Sequence, residues 1–193
     1  VHPENPGGYA FPKSTVEKIA NLVKTKRNDL IVLADVVYSP FVNEYNSFLQ
    51  YCPYNTILVF SLSKYFGVTG WRLGVTVINK NNILNKIIKN LPKSKLKILN
   101  ERYRLISINP ENYSFMDRLV ADSREVAEQH VAGLSTPLQT LIGLFLYYYI
   151  NKLNIEYRKS IMKILKYRMS LLYSELNTDS HENELDTNYY SLL

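Results

Sequence analysis

The sequence predicts an α/β protein whose sheet is mainly parallel and flanked by helices. Three short apolar runs, 30–34, 56–60 and 73–78, carry no charge and have the length of buried strands. A helix-periodic segment precedes the first run, a short one separates it from the second, and several follow the third. Alternation of this kind implies one sheet covered on both faces, and in such sheets ligands gather at the strand ends.

Residues 14–27 carry Val16, Ile19, Ala20, Leu22 and Val23 at helical spacing, with Ser14 or Thr15 able to cap the start. Leu-Ile-Val-Leu-Ala at 30–34 is the first strand, and a loop and a short helix near 44–52 lead to the second, Thr-Ile-Leu-Val-Phe at 56–60. The third strand, 73–78, follows Arg72 directly. From Asn81 the pattern is helical, over about 82–90, 94–106, 114–131 and 137–152, the last opened by a hydroxyl cap and a first-turn proline, Thr136 and Pro137. A long amphipathic helix spans 156–176, with Ile161, Ile164, Leu165, Met169, Leu171 and Leu172 as its apolar positions. The tail 177–187 is polar and reads as a surface connection, and 189–193 reads as the opening of a further strand.

At 193 residues the chain can bury one core. It opens inside a loop motif with no start methionine and closes on that incipient strand, so a piece of a larger protein is expected. On this reading 1–152 is the C-terminal part of a large domain with a helical insertion at about 81–118, and 153–193 leads into a smaller domain. The single cysteine, Cys52, excludes an internal disulfide and fits a reducing, cytoplasmic compartment. The longest apolar run, 141–150, is too short and too rich in tyrosine to span a membrane. A formal charge of +6 and a pI near 9.2 invite a nucleic-acid partner. The lysines, however, are scattered along helical segments, from Lys80 to Lys97 and from Lys152 to Lys166, as solvated faces are; no nucleic acid, membrane or metal is expected.

The chemistry concentrates in 61–74, Ser-Leu-Ser-Lys-Tyr-Phe-Gly-Val-Thr-Gly-Trp-Arg-Leu-Gly, where one lysine stands between hydroxyls and an arginine in a nearly uncharged stretch. Such an amine is suited to forming an imine, and the planar fork of Arg72 suits a phosphate. Three other spots complete the set. Asn5-Pro6-Gly7-Gly8 is a turn whose asparagine amide can donate to a phenolate oxygen. Asp35 closes the first strand, where a carboxylate needs a cation, and Tyr38 adds a phenol three residues on. Pyridoxal phosphate requires these types: a carboxylate to keep its ring nitrogen protonated, donors for its phenolate oxygen, a guanidinium and hydroxyls for its phosphate, and a lysine for its aldehyde.

The order Asn5, Asp35, Tyr38, Ser61, Lys64, Arg72 resembles the aspartate aminotransferase family of fold-type I pyridoxal-phosphate enzymes, whose pattern runs Asn-Pro-x-Gly, Asp-x-x-Tyr, then Ser-x-x-Lys with an arginine eight residues on. The spacings, 30 residues from Asn5 to Asp35 and 29 from Asp35 to Lys64, suit it. The resemblance implies the large domain of that fold, with Lys64 as the catalytic, cofactor-holding lysine. Asp35 would be the ring-nitrogen partner, Asn5 and Tyr38 the phenolate donors, and Ser61 and Arg72 the phosphate ligands. His2 stands where the family commonly has asparagine, a position expected to shape the loop.

Residues 61–74, 115–124 and 132–139, together with the long helical block after Asn81, narrow the resemblance to the aspartate 4-decarboxylases, which also transaminate aspartate. That implies decarboxylation of L-aspartate to L-alanine and CO2, with aspartate and a 2-oxo acid as small-molecule partners and at least a homodimer as the assembly. Arg124 is the nearest candidate for a substrate carboxylate, and equally reads as a helix-surface arginine paired with Asp122 or Glu128. Two alternatives stay open: a class I aminotransferase of other amino-acid specificity, and a basic interaction module or pseudoenzyme that keeps the fold.

Overall fold

The structure, a computed structural model, describes residues 1–130, 134–178 and 183–192. Helix α1 (Lys13–Thr25) buries Val16, Ala20 and Val23, the stripe that its spacing predicts. Neither Ser14 nor Thr15 caps it; Pro12 stands at the cap, and its carbonyl accepts from the amides of Thr15 (2.9 Å) and Val16 (3.2 Å). Strand β1 (Val32–Asp35) pairs in parallel with β2 (Thr56–Ser61), from Val32 opposite Thr56 to Asp35 opposite Val59. Between them the short helix α2 (Phe48–Tyr51) is fixed by a capping box of Ser47 and Gln50. Phe48 and Cys52 pack with the α1 stripe against Ala34 and Val36, forming the first core.

The third strand, β3 (Gly74–Ile78), joins β2 antiparallel, so the sheet is mixed, with one parallel and one antiparallel pair in the order β1-β2-β3. The reason lies in the connection. Between β2 and β3 stand only the one-turn helix α3 (Leu62–Tyr65) and a 3-10 turn at Thr69–Trp71. The connection has the dozen residues of the shortest parallel crossover but not the full helix that usually carries the chain back across a sheet, and this chain turns back instead. Covering of both faces is not what the structure shows: Ala34 is 5% exposed while its neighbour Leu33, on the opposite face, is 67% exposed.

Beyond the sheet come α4 (Ile83–Lys89), α5 (Lys93–Glu101), α6 (Phe115–His130), α7 (Thr136–Ile150) and α8 (Asn154–Glu175). Helix α5 stops five residues before the expected 106, and the chain continues irregularly to a 3-10 turn at Pro110–Asn112. Buried Arg118 of α6 ties this block together, donating through Nη2 to Asn100 Oδ1 (2.8 Å) and the Pro110 carbonyl (3.2 Å) beneath the Tyr103 ring. Val131, Ala132 and Gly133, which the sequence reading included, lie outside the described residues, as does part of the polar tail. No strand forms at 189–192; the tail instead folds back, with Tyr9 bridging Asp186, onto the loop that holds Asn5. Among the described residues, no helix is long and apolar enough to cross a membrane.

A second core explains why the tail matters. Val37, Tyr38, Phe41 and Tyr65 are buried together beneath Tyr157, Ile161 and Leu165 of α8 and Tyr189 and Tyr190 of the tail. Arg158 pins α8 to the segment after β1, donating to the carbonyls of Pro40 (2.7 Å) and Val42 (2.6 Å).

Candidate active site

Strand direction assembles the site. Because β1 and β2 are parallel, Asp35 and Ser61, which end them, lie at the same edge of the sheet. Because β3 is antiparallel and its Gly74 pairs with Ser61, Arg72 returns to that edge as well. Lys64 follows Ser61 on α3, whose first turn is capped by the Ser61 hydroxyl accepting from the Ser63 amide at 3.2 Å. Ser61 Oγ donates to the Leu73 carbonyl at 3.4 Å, and the Leu62 amide to the same oxygen at 3.1 Å, fixing the lysine turn beside the arginine turn. From the other side Tyr157 Oη donates to the Tyr65 carbonyl at 2.9 Å, so α8 buttresses the lysine helix.

The Asn5 loop reaches this edge through His2. Its amide donates to the Asp35 carbonyl at 2.8 Å, and its ring is 4% exposed. Nε2 accepts from the Phe11 amide at 2.8 Å, so the ring proton sits on Nδ1, which faces Tyr45 Oη at 3.0 Å. Tyr45 Oη in turn donates to the His2 carbonyl at 3.1 Å. Burial pushes the imidazole down to about 4, matching a neutral ring that shapes the loop.

Asp35 accepts from the Val37 amide at 3.2 Å, and no lysine or arginine among the described residues bridges it. Tyr38, 4% exposed, has its phenol pushed up by burial and then by the Tyr190 hydroxyl, so it stays a proton donor. Asn5 Nδ2 donates to Tyr190 Oη at 3.3 Å, and Tyr38 Oη makes a short hydrogen bond to that same oxygen. Two side chains expected to hold one phenolate oxygen therefore meet on one phenolic oxygen. Arg72 is exposed and left-handed (φ 54°, ψ 43°), with Nη1 donating to the Thr69 carbonyl at 3.1 Å.

The sequence profile described as "Aminotransferase class I and II" matches residues 1–177. The chain belongs to this aminotransferase family. It is 40% identical over its whole length to a bifunctional aspartate aminotransferase and L-aspartate beta-decarboxylase from Pseudomonas sp, of which it covers 36%. To an aspartate aminotransferase from Pyrococcus horikoshii it is 33% identical over 95 residues, 48% of this chain and 22% of that protein. The chain thus spans about a third or less of the curated relatives it matches. Among solved structures, the aspartate aminotransferase from Thermus thermophilus with maleate aligns at a TM-score of 0.54 and 21% identity, over 91% of this chain and 36% of that one. The enzyme from Thermotoga maritima gives a TM-score of 0.53 at 19% identity, over 91% and 35%. These likenesses show the fold, the α/β architecture of fold-type I aminotransferases.

For an aminotransferase, the donor set fits pyridoxal phosphate. A phenolic oxygen already sits between Asn5 and Tyr38, a carboxylate without a cation ends the neighbouring strand, and an amine, a hydroxyl and a guanidinium stand at the same edge. Arg124 is not brought there. It is exposed on α6 and lines a hollow with Leu105, Tyr113 and Asp117, while Asp122, one of its expected partners, pairs with Arg102 at 3.1 Å. The sequence reading missed Tyr190 and Tyr45. The aromatic pair Tyr189-Tyr190 was the only signal for the first, and it reads equally well as a strand.

Proposed function

We propose that this chain forms the cofactor-holding part of a pyridoxal-phosphate enzyme that decarboxylates L-aspartate to L-alanine and CO2, with aspartate transamination as a side activity. The observation that carries the reading is the convergence of Asn5 and Tyr38 on one phenolic oxygen at the sheet edge shared by Asp35, Ser61, Lys64 and Arg72. The choice of aspartate chemistry is supported by 40% identity across the whole chain to the bifunctional relative.

When bound, pyridoxal phosphate supplies an electron sink for the charge that develops beside the substrate nitrogen. Lys64 would hold the cofactor through its aldehyde, and its free amine would serve as the base for the proton on the substrate α-carbon. The Asp35 carboxylate keeps a proton on the ring nitrogen by making the cationic form favourable. Tyr38 and Asn5 donate to the phenolate oxygen, and the held-up phenol of Tyr38 lets it keep its proton while doing so. Ser61 and Arg72 bind the phosphate, the fork of Arg72 offering paired donors. Residues 1–152 belong in this reading to the large domain, with the insertion at 81–118, and 153–193 lead toward the small one. The whole protein works as a homo-oligomer on aspartate and a 2-oxo acid.

The test is to supply the full-length protein with L-aspartate and measure products. CO2 and alanine are expected, together with a visible cofactor absorbance that Lys64→Ala abolishes. Oxaloacetate without alanine identifies an aminotransferase instead, and no absorbance in the unaltered protein sinks the cofactor assignment.

A further inference from the structure

Helix α3, which carries Lys64, is one turn long, too short to hold its shape unaided. Its own bonding is the Phe66 amide donating to the Leu62 carbonyl at 3.1 Å, after which Gly67, left-handed at φ 68°, turns the chain away. Ser61 caps the start, but the Tyr65 carbonyl at the other end is one that the helix cannot satisfy itself. Tyr157 of α8 satisfies it, its hydroxyl donating to that carbonyl at 2.9 Å across 92 residues of sequence. Burial, and then Tyr148, push the Tyr157 phenol up, so it keeps the proton that it donates. Two hydroxyls thus close the lysine turn, one at each end.

The rings around the turn reinforce the same hold. Tyr65, 1% exposed, meets Tyr157 edge-on at 5.4 Å, and Phe66 stacks on Phe145 of α7 at 4.5 Å and on Tyr157 at 5.8 Å. Trp71, the neighbour of Arg72, leans on Phe145 at 5.8 Å. Arg158, the next residue of α8, donates to the carbonyls of Pro40 and Val42, just past Tyr38. Adjacent residues of one helix therefore hold the Lys64 turn and the Tyr38 turn. We propose that Tyr157 is a positioning residue for Lys64, holding the lysine turn in register with Tyr38 and Asp35 so that its amine meets the cofactor's aldehyde without α3 having to order first. The proposal rests on the pyridoxal-phosphate reading above and adds to it a residue that acts through the lysine turn. Its physical basis is preorganisation, since a turn that orders only on binding costs both affinity and rate.

The experiment uses the full-length protein, its Tyr157→Phe variant, which keeps the ring and loses the hydroxyl, and pyridoxal 5′-phosphate as the probe. In cofactor-free protein, hydrogen exchange at the Phe66 amide reports on the turn. It is expected to be slowed about 100-fold or more in the unaltered protein, and to run about fivefold faster in Tyr157→Phe, the worth of about one net hydrogen bond. Absorbance titration of Tyr157→Phe is expected to give a dissociation constant about fivefold weaker, and at saturating cofactor the visible absorbance should rise about tenfold more slowly. A Phe66 amide that exchanges freely in the unaltered protein, or no faster in Tyr157→Phe, overturns the proposal. Faster exchange with an unchanged dissociation constant or rate, or a variant that does not fold, makes Tyr157 a fastening of the fold alone and overturns it equally. In each of these cases the cofactor reading stands. If the unaltered protein binds no cofactor, that reading falls and takes this inference with it.

Discussion

Arg72→Gly separates backbone strain from phosphate binding at one position. Arg72 holds φ 54° and ψ 43°, a conformation that costs an ordinary side chain about 1–2 kcal/mol and glycine almost nothing. Against that relief stand the extra chain entropy that glycine loses on folding, about 0.5–1 kcal/mol, and the exposed Nη1 bond to Thr69, about 0.5 kcal/mol. These nearly cancel, so the protein's stability should move by less than about 1 kcal/mol, read from urea unfolding without cofactor. Affinity should not cancel. Losing a charge-assisted bond to phosphate is worth about 1.5–3 kcal/mol, which weakens cofactor binding roughly ten- to 150-fold in an absorbance titration. Arg72→Lys, which keeps the charge but not the fork, should fall between. An unchanged dissociation constant for Arg72→Gly, or a stability loss above about 2 kcal/mol, would mean that this arginine serves the fold and not the phosphate.

Acid should loosen the Asn5 loop through His2. Its folded value of about 4 lies below the ordinary 6.5, so its contribution is fully present above about 6.5 and disappears as pH falls toward 4. The gap corresponds to about 3 kcal/mol, of which about 2 should be gone by pH 5, and His2→Asn should lack that pH-dependent loss when urea midpoints at pH 7 and pH 5 are compared. Equal losses in both proteins would assign the acid sensitivity elsewhere. Asn100→Ala should destabilise by about 1–3 kcal/mol in the same assay, since it takes an acceptor from a guanidinium that is 3% exposed and whose Nε and Nη1 already lack partners. A change under about 0.5 kcal/mol would show that water reaches Arg118. Gly8→Ala should cost about 1–2 kcal/mol from its left-handed backbone and also speed exchange at the Thr187 amide, because the added carbon crowds the tail; strain without tail release would separate the two effects.

What could be read from the sequence divides by range. Helix α1 was legible because Val16, Ala20 and Val23 recur at helical spacing, and the three strands because their runs are short, apolar and uncharged. Neither signal carries direction. Whether β3 runs with β2 or against it turns on whether the connection carries a full crossover helix, and 62–73 is long enough for either kind until the one-turn helix α3 is seen. The cap of α1 was misread for a local reason: a proline ahead of the helix supplies a pre-set φ and a free carbonyl, and the hydroxyls one and two residues inside it are then not needed. Leu33 is a sharper case. Its apolar run predicts burial on both faces, yet its side chain is 67% exposed, because covering a face depends on what packs there and a strand's own composition does not supply the cover.

The candidate site was legible residue by residue because its chemistry dictates residue types in chain order, and five of its six members lie within three residues of a strand end or on the one-turn helix that follows. Asn5 reaches the same edge by a different route. It is held there by a backbone bond from His2 to Asp35, and the buried His2 ring, accepting from Phe11 and facing Tyr45, anchors the same loop. The ring also stacks on Phe11 and lies tilted against Tyr45, aromatic contacts that an asparagine does not make. Tyr190 was invisible for the opposite reason. No local pattern joins residue 190 to residue 5, and a tail closing on a loop is a tertiary event whose only trace in the chain is a pair of aromatic rings. That pair meets the site through phenol chemistry, since Tyr190 Oη lies where Asn5 and Tyr38 converge.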